Sequence, residues 1–122
     1  MKMLGLALAT SILLYGLALA APQKNQAFRG EIMDSACAET GAHDAMMKSH
    51  PNMKTAKDCT LGCVKAGSKY VLYNADNKIV YQLDDQNKPE QFAGQRVMVT
   101  GNLDPASGTI HVATIKSASS PY

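Results

Sequence analysis

Lys69-Tyr70-Val71-Leu72-Tyr73-Asn74-Ala75-Asp76-Asn77-Lys78-Ile79-Val80-Tyr81-Gln82-Leu83 is the stretch on which the fold turns. Lys69 to Tyr73 and Lys78 to Leu83 are rich in β-branched and aromatic residues, and the four residues between them have the composition of a hairpin turn. The pattern predicts two antiparallel strands. Downstream, Asp84 to Phe92 is polar with Pro89 inside it and reads as a loop or a single helical turn. Gly94 then opens a strand at Gln95 to Thr100, with Val97 and Val99 on one side. Gly101 to Gly108, which contains Asn102, Asp104 and Pro105, reads as another turn, and Thr109 to Lys116 as the last strand, with Ile110 and Val112 on its apolar side. Upstream, Phe28, Gly30 and Ile32 alternate with Arg29, Glu31 and Met33 until Asp34-Ser35 ends the run, giving a first strand.

The order is therefore strand, helical insertion, hairpin, short connection, hairpin. The expected class is mainly β with a helical insertion (α+β): a small five-stranded barrel of the oligonucleotide/oligosaccharide-binding (OB) type, with one or two short helices between strands 1 and 2. An open five-stranded sheet is the competing architecture. In the usual OB plan the helix follows strand three, whereas here it follows strand one, so the barrel is called OB-like only.

Residues 1–20 carry Lys2, then an apolar run from Leu4 to Leu19 interrupted by Gly5, Thr10, Ser11 and Gly16, and end in Ala18-Leu19-Ala20. This is the pattern of a signal peptide cut after Ala20. The alternative is an uncleaved anchor, for which the run is at the short end of the roughly 17–25 residues needed to span a bilayer. Cleavage leaves 102 residues, enough for one domain. The expected organisation is a flexible lead-in at 21–27, a single domain at 28–117 with its insertion at 35–67, and a frayed tail at 118–122. The mature chain carries a formal charge of +1 with its charges scattered, which argues against nucleic acid as a partner. Export to the periplasm or the extracellular space implies oxidising surroundings.

Gly41, Pro51 and Asn52 cut the insertion into pieces. Its second helix is the better marked. Thr55 and Asp58 form a capping box, Lys65 lies in the last turn and Gly67 sits at the C-cap; Ala56, Cys59, Cys63 and Ala66 share one face. The insertion also holds nearly all the chemistry: Cys37, Cys59 and Cys63 with His43, Met46, Met47, His50 and Met53 among them. Cys59 and Cys63, four apart on a helix, emerge on one side and can grip one ion. With Cys37 and His43 they make a tetrahedral Zn(II) set, and Met46, Met47 and His50 are substitute ligands if the ion is Cu(I). Two plainer readings stand beside this one. Cys37 pairs with Cys59 or Cys63 in a disulfide, with one thiol left buried and the methionines acting as filler, or Cys59 and Cys63 form a redox pair without the usual Cys-x-x-Cys spacing.

Asp34 and Asp58 read as turn and cap residues, with a supporting bond to a ligand as the alternative. His111 lies opposite Ile110 and Val112 and reads as a surface residue. Tyr70, Tyr73 and Tyr81 read as core and girdle residues, with ligand stacking as the alternative. No nucleophile elbow and no phosphate loop is present, so a non-catalytic protein is expected.

Gly30-Glu31-Ile32-Met33-Asp34-Ser35-Ala36-Cys37, the His/Met stretch, Cys59-Thr60-Leu61-Gly62-Cys63-Val64 with Lys69-Tyr70-Val71-Leu72, and Phe92-Ala93-Gly94-Gln95-Arg96-Val97-Met98-Val99-Thr100-Gly101 together resemble a group of small exported bacterial domains of unknown function with a three-cysteine motif in an OB-like barrel. The resemblance implies fold and export, not an activity. The functional expectation is an exported, non-catalytic domain binding Zn or Cu. The alternative is a disulfide-stapled module whose partner is an envelope protein or an oligosaccharide; in either case the protein is not embedded in a membrane after signal cleavage.

Overall fold

The computed structural model describes residues 25–118, and the segments expected as signal peptide and extreme tail lie outside them. The strands are β1 (Gln26–Asp34), β2 (Tyr70–Asn74), β3 (Ile79–Leu83), β4 (Arg96–Asp104) and β5 (Thr109–Ser117). Between β1 and β2 run α1 (Ser35–Ala38), α2 (Asp44–Ser49) and α3 (Ala56–Lys65), and a 3-10 turn at Lys88–Phe92 joins β3 to β4. The chain is thus mainly β, with hydrogen bonding that closes in a ring in the order β1-β2-β3-β5-β4. All pairs are antiparallel except β3 with β5, which meet in parallel at Gln82↔Thr109 and Leu83↔Ile110. No helix among the described residues is long and apolar enough to cross a membrane.

The expected hairpin forms as read, with Leu72 opposite Tyr81. Its turn is held by Asn side chains: Asn74 Oδ1 accepts from the Asp76 amide (2.9 Å) and Asn77 Oδ1 from the Ile79 amide (3.0 Å). Three boundaries differ from expectation. β1 starts at Gln26, taking two residues from the expected lead-in, because β4 runs far enough to pair Gln26 with Gly101 and Ala27 with Thr100. β4 in turn continues through Gly101 to Asp104. The ladder shifts register between Thr100 and Gly101, where a Cβ would collide with the His111 carbonyl, so this glycine marks a bulge inside the strand. Finally, the insertion holds three helices, because Ser35–Ala38 makes a short one capped by Asp34.

Two layers of burial explain why the insertion sits where it does. Inside the ring, Ile32, Leu72, Val97, Val99 and Ile110 form the core, joined by Leu61 and Val64 from α3. On the outer face of β1 and β2, Met33 stands opposite Val71, and both are fully buried under Cys37, Ala38, Cys59 and Cys63. Helix α3 therefore serves both clusters, and it docks closely. Gly94, at φ +72°, has its Cα so near the start of α3 that a Cβ would stand 2.5 Å from the Lys57 nitrogen. Only glycine meets both the backbone angle and the approach.

Candidate metal centre

Asp34 ends β1 at full burial and caps α1, its Oδ2 accepting from the Cys37 amide at 2.9 Å. That cap fixes the first turn of α1 and so the position of Cys37. Across from it, α3 starts with the expected capping box, in which Thr55 and Asp58 bond reciprocally, and presents Cys59 and Cys63 one turn apart toward Cys37. Ala66, expected on the same face, is exposed, and Ala56 is half-buried. The three thiols are nearly inaccessible: Cys37 is 4 % exposed, Cys59 0 % and Cys63 6 %.

The result is a buried group of four donors. One ligand atom from each of Asp34, Cys37, Cys59 and Cys63 lies within 4.8 Å of all the others, so these residues can hold a metal ion. The Sγ atoms of Cys37 and Cys59 are 3.6 Å apart, well beyond the roughly 2.05 Å of a disulfide, and all three cysteines are free. Burial pushes the Cys63 thiol up to about 11, helped by the charge of Asp34 and by Cys59. Cys37 is raised further still, by burial first, then by its contact with Cys59 and the charge of Asp34. These causes disfavour a bare thiolate and would be offset by a cation. One more feature marks the site: Asp34 Oδ1 is buried with no hydrogen-bond partner among the described residues.

The three cysteines named from sequence converge, and His43 does not join them. It precedes α2, where its Nε2 donates to Glu31 Oε2 on β1 at 3.3 Å, while its Nδ1 is buried without a partner among the described residues. His50 is exposed and its Nδ1 donates to the Met46 carbonyl at 3.1 Å. Met46, Met47 and Met53 pack, half-buried, against the cysteine cluster. Asp34 is the donor that sequence reading passed over as a ligand. Its signal was its place three residues before Cys37 at a strand end, which sequence reads as a cap. Away from the site, His111 is a surface residue that donates from Nδ1 to Asp84 Oδ2 (3.1 Å), Tyr70 is in the core, and Tyr81 lies tilted against Phe28 with ring centroids 5.3 Å apart.

A family model described as "Protein of unknown function (DUF5818)" matches residues 62–118. That stretch spans the end of α3 and β2 to β5; it includes Cys63 but not Asp34, Cys37 or Cys59. Searches of curated proteins and of solved structures gave no match.

Proposed function

We propose that this chain is an exported, non-catalytic, OB-like domain whose buried Asp/Cys group holds one soft or borderline metal ion, Zn or Cu. The observation that carries the reading is the convergence, within 4.8 Å, of three thiols and a carboxylate drawn from two separate parts of the chain. Thiolates suit both Zn and Cu(I). The parallel closure of β3 on β5, which completes the ring of strands, supports the OB-like assignment. Export rests on the pattern of residues 1–20. Titration of the reduced protein with Zn(II) and, separately, Cu(I) tests the metal reading. One equivalent of either ion should protect all three thiols from a thiol reagent, and Cys59→Ser should abolish stoichiometric uptake. Uptake undiminished in that variant counts against the site.

The 3.6 Å separation of Cys37 and Cys59 favours a second reading, a disulfide-stapled module. Its binding surface would be the groove of about 440 Å³ lined by Arg29, Glu31, Tyr73, Asp76 and Arg96, a mixed-charge surface suited to an oligosaccharide or an envelope protein. Intact mass and a free-thiol count on protein isolated without reductant separate the two readings.

A further inference from the structure

We propose that Asp34 is the fourth ligand and that the ion is accordingly a divalent, tetrahedrally coordinated one of the Zn(II) type, not Cu(I); this rests on the metal reading above and narrows it. Three observations lead there. The first is the state of the carboxylate. Asp34 is fully buried, and its two oxygens are used unequally: Oδ2 takes the Cys37 amide, whereas Oδ1 has no partner among the described residues. Buried carboxylate oxygens are ordinarily matched by donors or cations, because leaving one bare forfeits its hydration with nothing in return. Here a carboxylate oxygen stands in the same 4.8 Å group as the three sulfurs, so a cation held by the thiolates would also meet that need. The amide bond to Oδ2 meanwhile orients the group, as bonds to the rest of a ligand do in metal sites.

The second is shape. A tetrahedral site with Zn–S bonds of about 2.3 Å has sulfur–sulfur edges of about 3.8 Å. Cys37 and Cys59 are 3.6 Å apart, close to that edge, and the other donor pairs, none above 4.8 Å, need only a modest contraction.

The third is donor chemistry and charge. Cu(I) selects thiolates and thioethers, while a carboxylate oxygen suits a harder, divalent ion. With three thiolates and a carboxylate, a monovalent ion leaves a buried formal charge of −3 and a divalent ion −2. Met46, Met47 and Met53, which lie against the cluster, are in this scheme its apolar cover and not its ligands.

Asp34→Asn separates ligation from capping, because the amide oxygen still accepts the Cys37 N–H and keeps α1 in place. The reduced, metal-free protein and this variant are titrated with Zn(II), with Co(II) as a coloured stand-in, and with Cu(I) under anaerobic conditions. The wild type should take one Zn(II) and give the intense visible bands of tetrahedral Co(II). In D34N, Zn(II) affinity should fall at least tenfold and the Co(II) bands should shift, while Cu(I) affinity changes less than threefold. Zinc-edge X-ray absorption on the wild type needs no variant and should show three sulfurs with one short oxygen. An unchanged Zn(II) affinity and Co(II) spectrum in a folded D34N, or imidazole scattering in the zinc shell, overturns the assignment. Preferential Cu(I) uptake by the wild type overturns it too and leaves the broader metal reading standing, whereas failure to bind either ion removes both.

Discussion

Cys37 Sγ and Cys59 Sγ lie 3.6 Å apart although they are 22 positions apart in the chain. The contact joins the start of the insertion to its last helix, across the outer face of β1 and β2. A disulfide between them would need the sulfurs to approach by about 1.5 Å. Prolonged oxidation of the metal-free protein by oxidised glutathione at about pH 9 should give a Cys37–Cys59 disulfide, slowly because burial limits both access and thiolate formation, the two thiols losing two hydrogens to the oxidant, with Cys63 remaining as one free thiol. Peptide mapping without reductant checks the connectivity. Prior loading with Zn(II) should slow the reaction at least tenfold, because the sulfurs are then engaged.

Gly94→Ala should destabilise the protein by on the order of 2 kcal/mol or more, combining a left-handed backbone with a Cβ driven into the first turn of α3. Gly108 has nearly the same backbone angle, φ +67°, with nothing near its missing Cβ. Gly108→Ala should accordingly cost about 1 kcal/mol, the backbone term alone. Urea midpoints of the two variants measure the difference. Equal losses would show that α3 does not rest on Gly94.

Thr55→Ala removes half of the capping box that starts α3, leaving the Asp58 amide without its 3.1 Å bond to Thr55 Oγ1. The expected loss is about 1 kcal/mol, restored by Thr55→Ser. Ion affinity should change by only a few-fold, since the substitution leaves the Thr55 carbonyl that accepts from the Cys59 amide and Cys63 lies a turn further on. Chemical denaturation and Zn(II) competition on the same samples test both statements.

The hairpin and the last two strands were legible because Tyr70–Leu83 and Arg96–Ser117 alternate around turns rich in Asn, Asp and Gly, and both strand pairs form with local partners. β1 is different. Ile32, Met33 and Asp34 are all fully buried in succession, since the ring core covers one face and the cysteine cluster the other. A period-two reading sends Met33 to solvent, and a polar Asp34 at the strand end reads as a turn residue, so the burial of these two, and with it the fourth donor, was not readable. Convergence of the thiols was readable from Cys59 and Cys63 at one helical turn. The direction of His43 was not, because its partner Glu31 lies on β1, twelve residues earlier, and only the folded insertion brings them together.

The metal-free protein should lose stability in alkali, and the bound ion should reverse the dependence. Cys63 titrates near 11 in the folded protein against an ordinary 9.0, and Cys37 is raised further. Between pH 9 and 11 the folded chain therefore binds more protons than the unfolded one. Stability from this source is complete below pH 9 and declines as pH rises through that window. For Cys63 alone the decline should be roughly 1 to 3 kcal/mol, and it should be reduced in Cys63→Ala whatever that variant's starting stability. With Zn(II) bound, the sulfurs are held as thiolates and protons become competitors of the ion, so stability should instead fall on acidification as the metal leaves. Urea denaturation at pH 8 and 10.5, with and without the ion, reads both slopes. A metal-free protein whose stability is flat over that range would mean that the thiols are not buried as the structure places them.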